Sequence, residues 1–403
     1  MIKPIYLDNQ ATTPMDPKVL KTMIPFFHEN FGNASSMHHK YGIEAQEAVQ
    51  SSRATLARVI GAQEKEIIFT SGATEAINLA IKGIVGKINQ KKHIITQATE
   101  HNAVLDTCRS IEKKGWDVTI LPVDDVGCVD PESIIDAITD QTVLISIMHA
   151  NNEIGTIQDV KRIGDICKKN NILFFVDACQ SFGKLDIDVS EMKIDLLSAT
   201  AHKLYGPKGI GILYASKNNP KVNIEIQIEG GGHENGLRSG TLPVPLIVGF
   251  AKAAEISSEN KKLEYNLLEK LRNKLLDGIK SKHPDIILNG SLEKGLSHNL
   301  NLCFPNLEAE TIIMRMKGIA CSMGSACSSA NLKPSHVLRA IGLNAELAHS
   351  AIRFSVGRFT THNDISNAII EINNVVNTLK DEKKKEVKYS SNIYSVSKSQ
   401  ICS

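Results

Sequence analysis

Ile172-Leu173-Phe174-Phe175-Val176-Asp177-Ala178-Cys179-Gln180 is an apolar run of strand length that ends in a carboxylate. Unbroken apolarity, rather than polar alternation, marks a strand covered on both faces, as in a parallel sheet between helices. Asp177 then lies at the strand's carboxyl end, where open α/β sheets bind ligands. Working outward, similar runs are Glu66-Ile67-Ile68-Phe69-Thr70, His93-Ile94-Ile95-Thr96 and Val143-Leu144-Ile145-Ser146-Ile147. They alternate with helix-patterned segments, Thr74 to Lys82 and Val160 to Lys169 among them, and Ser71 and Thr74 are candidate caps for the first. This rhythm predicts an α/β fold with a mostly parallel sheet.

Around Lys252 to Lys282 the pattern becomes one long charged helix, with Leu263, Leu267, Leu268, Leu271 and Leu275 near helical spacing. Beyond it come a short strand at Asn299-Leu300-Asn301-Leu302, a Gly/Ser/Cys-rich loop, a helix from about Ser335 and a strand around Ile352-Arg353-Phe354. A chain of 403 residues suits two cores rather than one. The expected division is 1–14 as a segment associated with the smaller domain, 15–255 as the large domain, 256–380 as a smaller α/β domain with a cysteine loop at about 321–333, and 381–403 as a mobile tail. The tail reading rests on a Lys-rich, then Ser-rich stretch without apolar periodicity.

Lys+Arg 46 against Asp+Glu 44 leaves a net charge of +2, too balanced for a basic nucleic-acid-binding face to be read from totals alone; a local basic patch stays open, and no direct nucleic-acid partner is expected. No stretch approaches the roughly 18 apolar residues of a membrane span, and the start of the chain lacks a signal-peptide pattern. The 8 cysteines are scattered singly, so neither a zinc site nor a disulfide framework is expected, and the inferred compartment is reducing.

Ser198-Ala199-Thr200-Ala201-His202-Lys203-Leu204-Tyr205-Gly206-Pro207-Lys208-Gly209 puts a lysine at the end of an apolar run, before a Gly/Pro-rich turn. A Schiff-base lysine must be held at one point and must lose its proton readily, which partial burial promotes. Alone, Lys203 would be read as a surface lysine beside a turn. Asp177 changes the odds, because a carboxylate against a pyridine nitrogen keeps the ring protonated and makes it an electron sink; alone, it would be read as a helix cap. Ser71-Gly72-Ala73-Thr74-Glu75 follows a strand and opens a helix, so the backbone N–H groups of Ala73 and its neighbours and the Thr74 hydroxyl can hold a phosphate. Glu100-His101-Asn102 and His149-Ala150-Asn151-Asn152-Glu153 offer an imidazole and an amide to a ring. Cys321-Ser322-Met323-Gly324-Ser325-Ala326-Cys327-Ser328-Ser329-Ala330 carries Cys327 in the middle of a small-residue loop, suited to a thiol that must travel. Most free cysteines are buried structural ones, a description that suits Cys321 better.

These segments resemble the cysteine desulfurases of the NifS/IscS type, within the class V aminotransferases. Matching stretches are SGATEAIN (71–78), TEHNAVLDTC (99–108), HANNEIG (149–155), VDACQSFGK (176–184), AHKLYGPKGIG (201–211), GGGHENGLRSGTLP (230–243), GSACSSA (324–330) and ELAHSAIRFSVGRFTT (346–361), and the likeness runs from Tyr6 to about Thr361. The resemblance implies a fold-type-I pyridoxal 5'-phosphate enzyme with a seven-stranded large-domain sheet, acting as a homodimer with sites at the interface. It implies that Lys203 carries the cofactor and moves the substrate α-proton, that Asp177 pairs with the ring nitrogen and that His101 stacks on the ring. Gln180 and Asn152 would contact the ring oxygen or substrate. Ala73, Thr74, Thr200, His202 and the partner subunit's Thr241 would bind the phosphate, and Arg353 would grip the cysteine carboxylate. Cys327 would take sulfur from L-cysteine as a persulfide, leaving L-alanine, and pass it to an iron–sulfur scaffold protein and other acceptors, with tRNA thiolation a further outlet. The implied location is cytoplasmic, or the mitochondrial matrix if a presequence has been removed. Ala34 and Met323 depart from the family's usual proline and small residue, and the tail after Lys380 departs from its usual ending.

Within enzymes, the competing expectation is a selenocysteine lyase or an aminotransferase, which would share Lys203 and Asp177. From another class, it is a binding or scaffold protein that keeps the fold without catalysis.

Overall fold

The computed structural model describes residues 3–88, 92–218, 221–323 and 334–399, with side chains to residue 385. After a two-residue strand β1 (Ile5–Tyr6), seven strands form the large sheet: β2 (Ile67–Thr70), β3 (His93–Gln97), β4 (Asp117–Leu121), β5 (Thr142–Ser146), β6 (Leu173–Asp177), β7 (Leu196–Thr200) and β8 (Gly211–Ala215). Their order is β2-β8-β7-β6-β5-β3-β4. β8 runs antiparallel to both β2 and β7, and the other neighbours are parallel.

Apolar runs become doubly covered strands because consecutive side chains leave opposite faces of the sheet. Ile95, Ile145, Phe174 and Val176 enter a core with helices Lys40–Val59 and Val160–Lys169. Ile94, Leu144 and Phe175 enter another, beneath helices Ala73–Val85 and Asn102–Glu112. The sandwich holds the carboxyl ends of β3, β5, β6 and β7 in fixed register, and the chemistry-bearing residues stand on those ends.

Helix Val244–Lys280 serves two cores: Val244 to Ile256 packs on the large sheet, and Leu268 to Ile279 packs on a second cluster. It begins eight residues before the sequence pattern suggests, because Val244 to Ala254 is a buried helical run without the charged face that marks the rest. Leu263 and Leu267, expected on its apolar stripe, are 73% and 39% exposed, so only Leu268, Leu271 and Leu275 of the five leucines are buried. Each such burial stabilises the fold by roughly 1.5–3 kcal/mol.

The second cluster lines a four-stranded antiparallel sheet, built from β9 (Ile287–Asn289), β10 (Asn299–Cys303), β12 (Ser322–Met323) and β13 (Ala351–Ser355) in the order β12-β13-β10-β9, while β11 (Ile319–Ala320) pairs parallel with β1. The chain's first strand is thereby tied, in a separate two-stranded sheet, to the C-terminal half of the chain. Helix His362–Ser399 continues through Lys380, where composition predicts a mobile tail. Contacts with the smaller unit carry it past that point: Lys380 pairs with Asp285, Arg315 with Glu382, and Lys383 donates to the Asn306 carbonyl.

Candidate active site

Two side chains far from it in sequence converge on the Gln10 carbonyl. Lys203 Nζ donates to it at 2.5 Å and to the Ala11 carbonyl at 2.8 Å, and Gln180 Nε2 donates to it at 3.0 Å. Lys203 closes the single helical turn Ala201–Lys203 at the end of β7, and Gln180 lies three residues beyond the end of β6. The lysine is partly buried, while Gln10 and Gln180 are at 0% and 2% exposure. The N-terminal segment is fastened here by paired bonds at Thr13, whose hydroxyl donates to the His202 carbonyl and accepts from the Tyr205 N–H.

Asp177, the last residue of β6, is held from one side. Its Oδ1 accepts from the Ser198 hydroxyl and from the Cys179 N–H, both at 3.1 Å, and Ser198 is its register partner on β7. The Cys179 thiol is pushed well above its usual range by burial, by the Asp177 charge and by its hydrogen bond to Asp177, with Lys203 opposing. Both Asp177 and Lys203 therefore act electrostatically on one thiol. Asp177 caps no helix; its bond to Cys179 closes a local turn.

The phosphate candidate is the β2 turn. Gly72 is the N-cap of helix Ala73–Val85, with φ 154°, and no side chain caps that terminus. This corrects Ser71 and Thr74 as caps: the backbone adopts a conformation open only to glycine, and Glu75 Oε2 instead accepts from the Ser71 N–H. A Cβ on Gly72 would meet nothing within 4 Å. A helix N-terminus with free N–H groups and an open approach is what an anion requires. Thr200 lies one strand away, because Gly211 is the register partner of both Thr70 and Thr200, and a Cβ on Gly211 would come within 2.8 Å of the Gly72 backbone, which excludes any side chain there. Thr200 Oγ1 donates to the Ile210 carbonyl at 3.1 Å. His202 Nδ1 lies 3.2 Å from Thr12 Oγ1, and burial with the nearby Lys203 and Lys208 charges holds its imidazole down at about 4, so it is neutral. Thr241 is exposed, on the segment leading into helix Val244–Lys280.

On the far side, His101 Nδ1 accepts from the Ala103 N–H at 3.0 Å, capping helix Asn102–Glu112. Arg353 on β13 is 3% exposed; Nη1 donates to the Asn152 carbonyl at 2.8 Å, Nη2 to Asp8 at 2.9 Å, and Nε is buried without a partner. Gln180 Oε1 is likewise buried and unpartnered. Buried polar atoms rarely stay unmatched. With the uncapped turn at Gly72, they fit a bound group bearing a phosphate and a carboxylate-bearing substrate beside it.

Cys327 lies outside the described residues. The chain on either side of 324–333 is fixed to the site: Ser322 is the register partner of Arg353 and donates to Asp8, and Ser335 donates to Glu153. Cys321 is pushed up to about 12 by burial and the Asp8 charge, which suits a structural thiol.

Two residues near the site were not anticipated. Lys184 is drawn down to about 7 by burial and by the Lys203 charge, and its Nζ lies 3.5 Å from His298 Nε2. Glu153 is pushed up to about 7 by burial. Their motifs were visible, but burial is a tertiary property that no local pattern announces.

Residues 5–367 match the family model described as Aminotransferase class-V, and the sheet with its carboxyl-end site is of that class. Among relatives, "Cysteine desulfurase IscS" of Enterobacter sp. (strain 638) is 51% identical over 381 residues, 94% of each chain. A solved NIFS-like protein superposes with TM-score 0.87 at 38% identity, covering 93% of this chain and all of that one. A structure described as SspA in complex with cysteine gives TM-score 0.77 at 37% identity, covering 88% of this chain and 99% of that one. The chain belongs to the cysteine desulfurases, pyridoxal-phosphate enzymes of the class V aminotransferase superfamily.

Proposed function

We propose that the chain converts L-cysteine to L-alanine and receives the sulfur on Cys327 as a persulfide. The observation that carries the reading is the convergence of Lys203 and Gln180 on the Gln10 carbonyl, beside an Asp177 anchored by Ser198. Bound at this site, pyridoxal phosphate supplies an electron sink that weakens the Cα–H bond and then the C–S bond of the substrate. Lys203 Nζ holds the cofactor, then takes and returns the α-proton; two carbonyls already fix the amine in place. Asp177 would keep a proton on the ring nitrogen, and His101 would stack on the ring. Gln180 and Asn152 contact the ring oxygen or substrate. The Ala73 and Thr74 N–H groups, with Thr200, His202 and the partner subunit's Thr241, bind the phosphate. Arg353 orients the substrate carboxylate through the guanidinium edge whose Nε is unmatched. The Cys327 thiolate attacks the substrate sulfur; an S–S bond forms, the C–S bond breaks, its electron pair passes to carbon, and protonation there gives alanine.

The proposed assembly is a homodimer. Leu20, Ile24, Phe27, Phe31, Met37 and Tyr41 are 45–63% exposed within one short stretch, an apolar surface that favours cover by a second copy. The proposed acceptors are an iron–sulfur scaffold protein and the tRNA-thiolation route, and the proposed location is the cytoplasm. Among the described residues no helix is long and apolar enough to cross a membrane.

Mass analysis after incubation with L-cysteine tests the reading: one added sulfur is expected on the peptide containing Cys327. Alanine release at an unchanged single-turnover rate in Cys327→Ala would reject the transfer step.

A further inference from the structure

Glu100 is 0% exposed, in the turn that leads from β3 to His101, and the proposed mechanism gives it no task. Its Oε1 accepts from the Met148 N–H at 2.5 Å and from Gln97 Nε2 at 3.2 Å, while Oε2 is buried with no partner. Asp177 is the charge that bears on it. Two buried carboxyls in mutual reach do not both ionise without compensation, and the proton stays on the one whose environment stabilises the anion less.

The donors decide which. Asp177 collects the Ser198 hydroxyl, the Cys179 N–H and the Cys179 thiol. Glu100 has both of its donors on one oxygen and leaves the other bare. The titratable groups on the neighbouring segments supply little relief. His336, from helix His336–Ala340, uses Nε2 on the Glu100 carbonyl, 2.9 Å away, and is held down by burial. His149, after β5, is held down at about 4 by burial and is therefore neutral. His101 already spends Nδ1 as an acceptor. Cys108, on helix Asn102–Glu112, is pushed up to about 12, by burial first and by Glu100 second. Burial and the Asp177 charge likewise push the Glu100 carboxyl well above the usual range.

We propose that Glu100 is a protonated, uncharged carboxylic acid that acts as a positioning residue, leaving Asp177 as the single anion behind the cofactor ring. It tethers Met148 and Gln97 without adding a second negative charge that would pull the ring proton toward a shared site. The role of Asp177 rests on the reading above; the protonation of Glu100 does not.

The test is infrared spectroscopy of the holoenzyme in H2O and D2O at neutral pH, comparing wild type with Glu100→Gln. The expected result is a deuteration-sensitive C=O band of an un-ionised acid in wild type that is missing in the variant. Loss of carboxylate bands instead would overturn the proposal. Kinetics supply the second readout. Glu100→Ala is expected to lower kcat by about tenfold and to move the pH dependence of the cofactor absorption, and Glu100→Gln, an uncharged isostere, to recover kcat to within about twofold with the wild-type pH profile. If the glutamine variant is as impaired as the alanine variant, the charge assignment fails. Should Glu100→Gln not fold, the wild-type band is followed to about pH 9, where Glu153 and Asp195 have ionised: its persistence supports the assignment and its disappearance overturns it. Asp177→Asn separates the two claims: an unchanged cofactor absorption would reject the reading of Asp177 while leaving the infrared result on Glu100 standing.

Discussion

Arg353 lies within β13 and Arg358 three residues beyond its end, and their surroundings differ in what is left over. Arg358 spends every nitrogen: Nε on Glu264, Nη1 on Asp16 and Nη2 on Ser257, with the guanidinium stacked 4.1 Å over the Tyr205 ring. These partners come from the N-terminal segment, the β7 turn and helix Val244–Lys280, so the group locks the site's walls together. Arg353 is more deeply buried yet keeps Nε unmatched. A guanidinium with every nitrogen partnered holds a fold; one with a buried nitrogen left unpartnered is available to a ligand.

Substitutions sharpen this contrast. The largest effect is expected at neither arginine: Lys203→Ala should lower kcat by at least about 10³-fold with little change in thermal stability, since it removes both the anchor and the proton carrier. Arg353→Lys keeps the charge but loses the planar fork, and should raise KM for cysteine by about 10- to 100-fold with a smaller change in kcat, the cost of a charge-assisted bond of about 1.5–3 kcal/mol. Arg358→Ala should do the reverse, costing about 3–5 kcal/mol of stability by stranding Asp16 and Glu264 while KM moves little. If both arginines behaved alike in these assays, the distinction between them would collapse.

The smallest effect is a pH dependence. Glu153 is pushed by burial from 4.5 to about 7, so between those values the folded protein holds a proton that the unfolded chain releases. Its contribution is complete below about 4.5 and is lost as pH rises through about 7. Glu153→Gln should remove this slope, by no more than about 3 kcal/mol, in denaturant titrations at several pH values. His149 and His202, held down at about 4, give the opposite slope between 4 and 6.5, where the unfolded chain takes up protons that the folded one refuses. The difference between wild type and variant isolates the glutamate.

The large sheet was legible because its strands bury both faces and so read as unbroken apolar runs; β6 and helix Val160–Lys169 are where those patterns put them. The turn at Gly72 was legible as a place and not as a cap, since φ 154° is a property of the folded backbone. Lys203 and Asp177 stood out through their neighbours in sequence, and Gln180 through the family resemblance. The Gln10 carbonyl that gathers Lys203 and Gln180 did not, because a backbone acceptor 193 residues from its lysine leaves no trace in a local pattern. The reversed direction of β8 was hidden for the same reason: an apolar run does not disclose which way it runs in a sheet. Nothing local marks Glu100 beside His101, since only the burial of both carboxyls makes its charge a question.

Borohydride reduction followed by peptide mapping tests the central claim most directly. The site offers two lysines, and Lys184, buried and drawn down to about 7, has the low proton affinity that an amine nucleophile needs. The geometry predicts cofactor mass fixed on the peptide that carries Lys203 and on no other. Cofactor fixed on the Lys184 peptide, or on neither, would contradict the account.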